Sequence, residues 1–424
     1  MVARSGCPER ERYPGRRRPS SPSRREAVGE AVRTAGSPPA RVLVVVRRPS
    51  PQGGVMKVLV TGASGNLGTA LRRRLQREDD VEVVGLVRRP PRQDGGVRWV
   101  EADLASPASV PVLERELADA DAVVHLAWLL QPSHDEAVLR AVNVDGTRRV
   151  ATAAAAAGVH LVHASSVGAY APRATPVPDG APVDGGAPVG GADPRDAVGE
   201  DWPTTGIESS SYSRHKVAAE RVLDDVQRAH PEARIARMRP GLVLQADAGS
   251  EIGRYFIGAL LPLSLVRRVA LPVLPLPAEI VFQVVHADDV AEAVLRMLRT
   301  RAQGPFNLVT SPVVDRMDVA AALRVQRVPR LPVAVMRGLA AVTWRARLQP
   351  TEAGWVDLLT QVPLLSSALA RAELGWEPRV QSQDALVELV DALASGRGTA
   401  TPPLRPRRLL SSRKPPSSGS PGGG

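Results

Sequence analysis

The chain has 424 residues, enough for one large domain or two ordinary ones with a proper core. Its formal charge is +11, but residues 1–55 (twelve Arg, four Glu) carry +8 of it and residues 397–424 (five Arg, one Lys, no acid) carry +6. The body from 56 to 396 is therefore slightly acidic, at −3, which argues against a nucleic-acid-binding body, and aromatic residues, at 3%, supply few stacking platforms. Both tails are rich in Pro, Gly and Ser and read as disordered basic extensions. Met56 directly precedes the first strand, so the expectation is that the natural chain starts there and that 1–55 is extra. Val42 to Val46 is too short for a secretory segment. The single cysteine, Cys7, allows no internal disulfide, which fits a reducing cytoplasm. Residues 259–285 are apolar but hold Arg267, Arg268 and several prolines, which excludes a spanning helix there, so no membrane partner is expected.

The ordered chain opens on Met56-Lys57-Val58-Leu59-Val60, a short buried strand. Gly62, Gly65 and Gly68 follow in a G-x-x-G-x-x-G spacing, and Leu67, Leu71 and Leu75 then recur on one helical face. A pyrophosphate needs backbone N–H groups aimed at it and no Cβ in the way; a glycine turn feeding a helix N-terminus supplies both. Val81 to Val87 is a second strand, closed by Arg88-Arg89-Pro90. An acid at that strand end would bind a ribose 2′-hydroxyl, whereas an arginine suits a 2′-phosphate. Arg88 therefore makes NADP the expectation and NAD the alternative.

Val97 to Glu101 reads as a third strand, followed by Asp103, which either meets the adenine or caps the helix after Ser106-Pro107. Asp121 to Leu126 is a fourth strand running into Ala127-Trp128; His125, near its end, has no metal-ligand partner nearby, and no metal is expected. A helix covers about 135 to 158 and contains Asn143, and Val159 to Ala164 is a fifth strand leading into Ser165-Ser166. Strand and helix alternate throughout, which predicts a doubly wound parallel sheet with helices on both faces. Residues 171–210 break the pattern and read as a long loop insertion.

A helix then begins at Ser211, with Tyr212 and Lys216 four apart on one face. With four Tyr and three Lys in the chain, such a pair arises by chance only about 0.03 times. A phenol titrating near ~10 needs a neighbouring ammonium to work as an acid–base group at neutral pH.

The glycine turn, Ser165-Ser166 and Tyr212-x-x-x-Lys216 together resemble the extended short-chain dehydrogenase/reductase superfamily, specifically its NAD-dependent epimerase/dehydratase family. Asn143-Val144-Asp145-Gly146-Thr147, Arg239-Pro240-Gly241, His286-Ala287-Asp288-Asp289 and Leu374-Gly375-Trp376 are further echoes, and the likeness runs from Met56 to about Gly396. It implies a Rossmann-like domain over 56–245 and a smaller, mostly helical substrate region over 246–396 with late sheet strands such as Gly304 to Leu308. It implies Tyr212 as the acid–base residue, Lys216 holding the nicotinamide ribose and lowering the tyrosine pKa, Ser166 (Ser165 the alternative) on the reacting oxygen, and Asn143 steadying the helix. Gly62, Ser64, Gly65, Asn66, Leu67, Gly68, Arg88, Asp103, Leu104, Leu126, Ala127 and Pro240, with Tyr212 and Lys216, are the implied cofactor contacts. Val167-Gly168 stand where dehydratases of the family place Asp-Glu, which counts against sugar dehydration. The expectation is an NAD(P)-dependent oxidoreductase acting on a carbonyl or alcohol of a small molecule, with a nucleotide-sugar epimerase or a non-catalytic dinucleotide sensor as alternatives and a homodimer left open.

Overall fold

A computed structural model describes residues 54–91, 96–130, 135–173, 197–249, 272–349 and 351–395, together with 398 and 404. The expectations about residues 1–53, the middle of the 171–210 insertion and most of the final tail lie outside the described residues.

In chain order the first elements are β1 (Met56–Thr61), α1 (Asn66–Leu75), β2 (Val81–Val87), β3 (Arg98–Glu101), α2 (Ser109–Leu117), β4 (Ala122–His125) and α3 (Glu136–Arg140). They continue with α4 (Gly146–Ala156), β5 (His160–Ala164), α5 (Ser211–Ala229) and β6 (Ile235–Pro240). Then come β7 (Leu242–Leu244), β8 (Val281–Phe282), β9 (Val284–His286), α6 (Ala287–Thr300), β10 (Gly304–Leu308) and β11 (Val314–Asp315). The last are α7 (Arg316–Ala322), α8 (Val333–Arg345), α9 (Ala353–Gln361), α10 (Ala368–Leu374) and α11 (Ser382–Ser395).

Seven strands form one parallel sheet in the order β10-β6-β5-β4-β1-β2-β3. The reason lies in β1. Val58 and Val60 point to one face, Leu59 to the other, and all three are buried, so both faces need cover. Leu71 and Leu75 of α1 and Val290, Val294 and Leu298 of α6 fill one side. Leu113 and Leu117 of α2, Val150 and Ala154 of α4 and Leu223 of α5 fill the other. Each fully buried leucine contributes about 1.5–3 kcal/mol. The chain reverses its direction of sheet growth between β1 and β4, and ligands of open α/β sheets bind at the carboxyl side of such a switch point.

The helix expected across 135–158 is interrupted. Ala141–Asp145 adopts a π turn, which carries Asn143, between α3 and α4. The end of the 171–210 insertion is ordered by the C-terminal region: Val198 N donates to Leu364 O at 2.8 Å, and Ser366 N to Val198 O at 2.9 Å. These partners lie more than 160 positions away, so no local period announces them. A smaller core of Leu244, Phe282, Val284, Val314, Ala385 and Leu389 holds the C-terminal region. It is tied to α6 by Asp289, whose carboxylate accepts from Arg379 N at 3.0 Å and Val380 N at 3.1 Å. The buried Trp376 indole adds a bond to Asp289 O at 2.8 Å.

Candidate active site

The glycine turn sits at the carboxyl end of β1. Gly62 has φ +69°, and a Cβ there would lie 2.6 Å from Ala127 N, so the turn closes against the exit of β4 only without a side chain. A Cβ on Gly68 would overlap the backbone of Gly62 and Ala63, so the helix can dock on the turn. Gly65 differs: a Cβ would meet only Gly62 O, at 3.4 Å, which leaves this backbone open to approach. Gly65 leads into α1, whose first turn carries no acid and no side-chain cap. Its N–H groups are thus free to meet an anion. Ser64 is buried in the turn. Leu67 packs against the core from the first helical turn. Gln245, at the far end of β7, donates to Asn66 O at 2.8 Å and Asn66 Oδ1 at 2.5 Å, so the turn is clamped from the C-terminal side. Arg72 braces it from below, donating to Ala63 O at 2.9 Å while its guanidinium lies 5.1 Å from the Trp99 ring centroid.

Arg88 is exposed immediately beyond β2. Asp103 is also exposed and accepts from Ala105 N at 3.0 Å, so it caps the turn before α2 and not the helix itself. Leu104 buries its side chain in the core, and its carbonyl accepts from Arg149 at 2.6 Å. Leu126 N and Ala127 N bond to Thr61 O and Thr61 Oγ1 at 3.1 and 3.3 Å, which fixes the β4 exit beside the turn. His125 belongs to the same lock. Thr147 Oγ1 spends its proton on Asn143 O (2.6 Å), so it accepts from His125 Nε2 (3.1 Å), and His125 Nδ1 accepts from Thr61 (2.7 Å). Burial, helped by the Lys216 charge, pulls His125 down to about 3, so the imidazole is neutral. His163, 5.3 Å away ring to ring on β5, is likewise buried and held well below its usual value.

Ser166, Tyr212, Lys216 and Asn143 come together at the carboxyl edge of β4 and β5. Ser166 opens a short 3-10 turn, Val167–Ala169, and its hydroxyl accepts from Gly168 N at 3.1 Å. Tyr212 stands in the first turn of α5, which Ser210 caps through Ser213 N. Its ring packs on Gly168, where a Cβ would lie 2.8 Å from Tyr212 Cε1. Burial pushes the phenol up to about 12, and the nearby Ser166 hydroxyl pulls the other way. Lys216 is buried, donates to Ala164 O at 2.8 Å and sits 3.3 Å from the centroid of the Trp128 ring. Burial holds its ammonium well below the usual lysine range, against the opposing pull of Glu220. The sequence expectation that Lys216 lowers the tyrosine pKa is not met in this arrangement, because the ammonium rests on the Trp128 face, 5.7 Å from the Tyr212 ring centroid. Asn143 clamps Leu129, accepting from its N at 2.7 Å and donating to its O at 3.1 Å. Pro240 is buried at the end of β6.

Ser165 is engaged elsewhere. It donates to Glu220 at 2.6 Å, and Glu220 also takes Arg239 Nε and Arg237 Nη1, each at 2.8 Å. Burial raises the Glu220 carboxyl, but Arg239, Arg237 and Ser165 outweigh it and hold it at about 2. Arg239 goes on to Tyr170 Oη at 2.9 Å, and Tyr170 donates to Asn307 at 2.7 Å. This buried network fastens the serine loop to α5, β6 and β10.

Two aromatic residues missed from the sequence complete the pocket. Trp128 meets Tyr212 edge-on with centroids 6.1 Å apart, and Trp355 of α9 lies 5.1 Å from Tyr212 on another side. With Leu129, Leu139, Asn143, Ser211 and His215 they line a small recess of mixed polarity beside the phenol. Trp355 arrives there because Glu352 accepts from Ser211 N and Oγ at 3.2 and 2.6 Å, and because a Cβ on Gly354 would strike the Ser209–Ser210 backbone. Trp128 had a local signal, as one of only six tryptophans and directly after the β4 exit. Trp355 had none.

Comparison with known proteins places these features. An uncharacterized protein of Mycobacterium tuberculosis (strain ATCC 25618 / H37Rv) is 27% identical over 342 residues, covering 80% of this chain and 30% of that one. A ceramide reductase of Caulobacter vibrioides is 28% identical over 255 residues, 59% of this chain and 63% of that protein. The chain thus spans about a third of the mycobacterial relative's length. Among solved structures, a UDP-glucuronic acid 4-epimerase from Bacillus cereus in complex with NAD matches with a TM-score of 0.57 at 16% identity, covering 80% of this chain and 99% of that one. MoeE5 in complex with UDP-glucuronic acid and NAD matches at 0.53 and 22%, covering 79% and 98%. These likenesses carry the fold. The model of the NAD dependent epimerase/dehydratase family matches residues 58–308, from β1 to the end of β10, and on that match over more than half its length the chain belongs to that family.

Proposed function

We propose that this chain is an NAD(P)-dependent oxidoreductase that interconverts a carbonyl and an alcohol, with Tyr212 giving and taking the proton. One observation carries the reading: Ser166, Tyr212 and the buried Lys216 converge at the sheet edge next to the glycine turn, with the Lys216 ammonium 5.7 Å from the Tyr212 ring centroid. The turn fits a dinucleotide, since Gly65 leaves an open backbone approach where Gly62 and Gly68 are sterically committed. Gly62, Ser64, Gly65, Asn66, Leu67 and Gly68 would hold the pyrophosphate, Leu126 and Ala127 the adjoining ribose, Arg88 a 2′-phosphate, and Pro240 would lie by the nicotinamide. The bound cofactor supplies or accepts the hydride.

The protein supplies position and protons. A phenol pushed up to about 12 is protonated at neutral pH, which suits donation to a carbonyl oxygen during reduction. Ser166 would hold that oxygen. Lys216, released from the Trp128 face, would stabilise the phenolate left behind and bind the nicotinamide ribose. Asn143 would keep the Leu129 segment, and with it the recess wall, in place. Trp128, Leu129, Leu139 and Trp355 give the recess apolar walls that suit the carbon skeleton of a ketone substrate, beside the polar Asn143, Ser211 and His215. The reductase name of the Caulobacter relative points the same way.

A nucleotide-sugar epimerase is the second reading, favoured by the UDP-sugar and NAD titles among the similar folds. The experiment that separates them measures NADPH and NADH binding to the full chain, then incubates the complex with a panel of apolar ketones and UDP-sugars. Reductase activity predicts net loss of nicotinamide absorbance with a ketone. Conversion of a UDP-sugar without net absorbance change would replace it with the epimerase, and binding with no turnover of either would leave a sensor.

A further inference from the structure

The helix α8 is unlike every other long helix described: it has no buried residue. Its inward residues Val333, Met336, Ala340 and Trp344 are half-buried against α9, while Val335, Leu339 and Val342 face outward at i, i+4 and i+7. These three are 47%, 59% and 64% exposed, and Leu348, just beyond the helix, is 57% exposed. A continuous apolar stripe in water is unfavourable, and such patches mark interaction surfaces. The stripe ends in arginines. Arg345 follows Val342 by one turn and Arg347 precedes Leu348; both are exposed, with no side-chain partner among the described residues. Residues 316–349 as a whole carry seven arginines against one acid, Asp318; Arg337 is paired with Asp357 of α9 at 2.9 Å, which leaves Arg345 and Arg347 as the cations at the end of the stripe.

We propose that α8 is a membrane-surface element that docks on anionic lipid, with Val335, Leu339, Val342 and Leu348 entering the acyl boundary and Arg345 and Arg347 meeting headgroup phosphates. An apolar face rimmed by cations is the chemistry of an interfacial helix, and arginines near an anionic surface add an attraction that salt screens. A symmetric contact with a second copy would bring the same arginines together, whereas an anionic bilayer meets both the stripe and its rim. No described helix is long and apolar enough to cross a membrane, so the contact is lateral. It amends the sequence expectation of no membrane partner, which rested on the lack of a spanning segment. Because α8 packs on α9, the helix that carries Trp355 to the recess, docking would set the recess close to the lipid surface.

The test is cosedimentation of the full chain with vesicles of phosphatidylcholine alone and with about a third phosphatidylglycerol. The wild type should sediment with the anionic vesicles and release in high salt. The exposed double variant Leu339→Glu/Val342→Glu should bind at least about tenfold more weakly, and Arg345→Glu/Arg347→Glu should lose the preference for phosphatidylglycerol. Circular dichroism and cofactor binding should match the wild type in both. The two variants keep both basic tails, so undiminished sedimentation of the variants would assign binding to the tails and overturn the proposal. It is equally overturned if the wild type ignores both vesicle types. Concentration-dependent dimerisation that Leu339→Glu/Val342→Glu abolishes, with vesicle binding unaffected, would assign the stripe to a second copy instead.

Discussion

The two helices α1 and α8 are of similar length, yet they are held by opposite means. In α1, Leu71 and Leu75 are fully buried between the sheet and α6, and the glycines before it are fixed by backbone that would collide with any side chain. In α8 no residue is buried, and Val335, Leu339 and Val342 face outward. The first helix is shaped by the fold, and in the proposed function it would meet a ligand through its backbone. The second rests on the fold through one half-buried face and offers the other to whatever lies outside. Burial therefore marks where sequence is constrained by stability, and exposed apolar surface marks where it is constrained by something else.

The sharpest way to break that contrast is truncation in α1. Leu71→Ala should cost about 2–5 kcal/mol, read as a fall in denaturation midpoint at unchanged slope. A loss below about 1 kcal/mol would mean that the sheet–helix layer is looser than its burial indicates. Next comes acid. Burial is the first cause of the lowered values of His125, His160, His163 and His215. Each folded pKa lies below the unfolded one, so the unfolded chain takes up protons first and stability falls as pH drops below 6.5. Glu220, held at about 2, keeps its contribution until pH passes below its unfolded value of 4.5. Between pH 6.5 and 4.5 the loss from these groups is thus carried by histidine, on the order of 2–3 kcal/mol from His125 alone. Denaturation curves at pH 7, 5.5 and 4.5 would measure it, and a flat profile would show that the β4–β5 interior is wetter than the structure has it.

Much of the sheet was legible, and the reason is periodic burial. Strands at Val81–Val87 and His160–Ala164 announce themselves through apolar runs and the glycine turn through its spacing, whereas Gly304–Leu308, which mixes Gly, Pro and Asn with two apolar residues, was expected only through the family resemblance. The Tyr212–Lys216 pair was legible because both residue types are scarce here. What stayed hidden depends on contacts remote in sequence. Trp355 reaches Tyr212 only because Glu352 finds Ser211, 141 positions away, and Gln245 reaches Asn66 across 179. The resting place of Lys216 on Trp128 was illegible for the same reason, since it requires the β4 exit and α5 to be placed first. The π turn at Asn143 leaves no mark in a helical period.

Two smaller effects sharpen the comparison further. Arg88→Ala should weaken NADPH by about tenfold, roughly 1.4 kcal/mol, and leave NADH nearly unchanged, as titrations of intrinsic fluorescence would report. Equal loss for both would make Arg88 incidental. The smallest effect belongs to α8: Leu339→Ala should change stability by no more than about 0.5 kcal/mol, against several for Leu71→Ala, because nothing is uncovered by removing an exposed side chain. A large loss there would mean that the stripe is part of the core.

The proposed chemistry rests on Tyr212, and Tyr212→Phe tests it most directly. Phenylalanine keeps the ring between Trp128 and Trp355 and removes only the hydroxyl. With a carbonyl substrate from the panel, turnover should fall by about 10²–10⁴ while NADPH affinity and melting temperature hold. Turnover within about twofold of wild type, with cofactor still bound, would contradict the account.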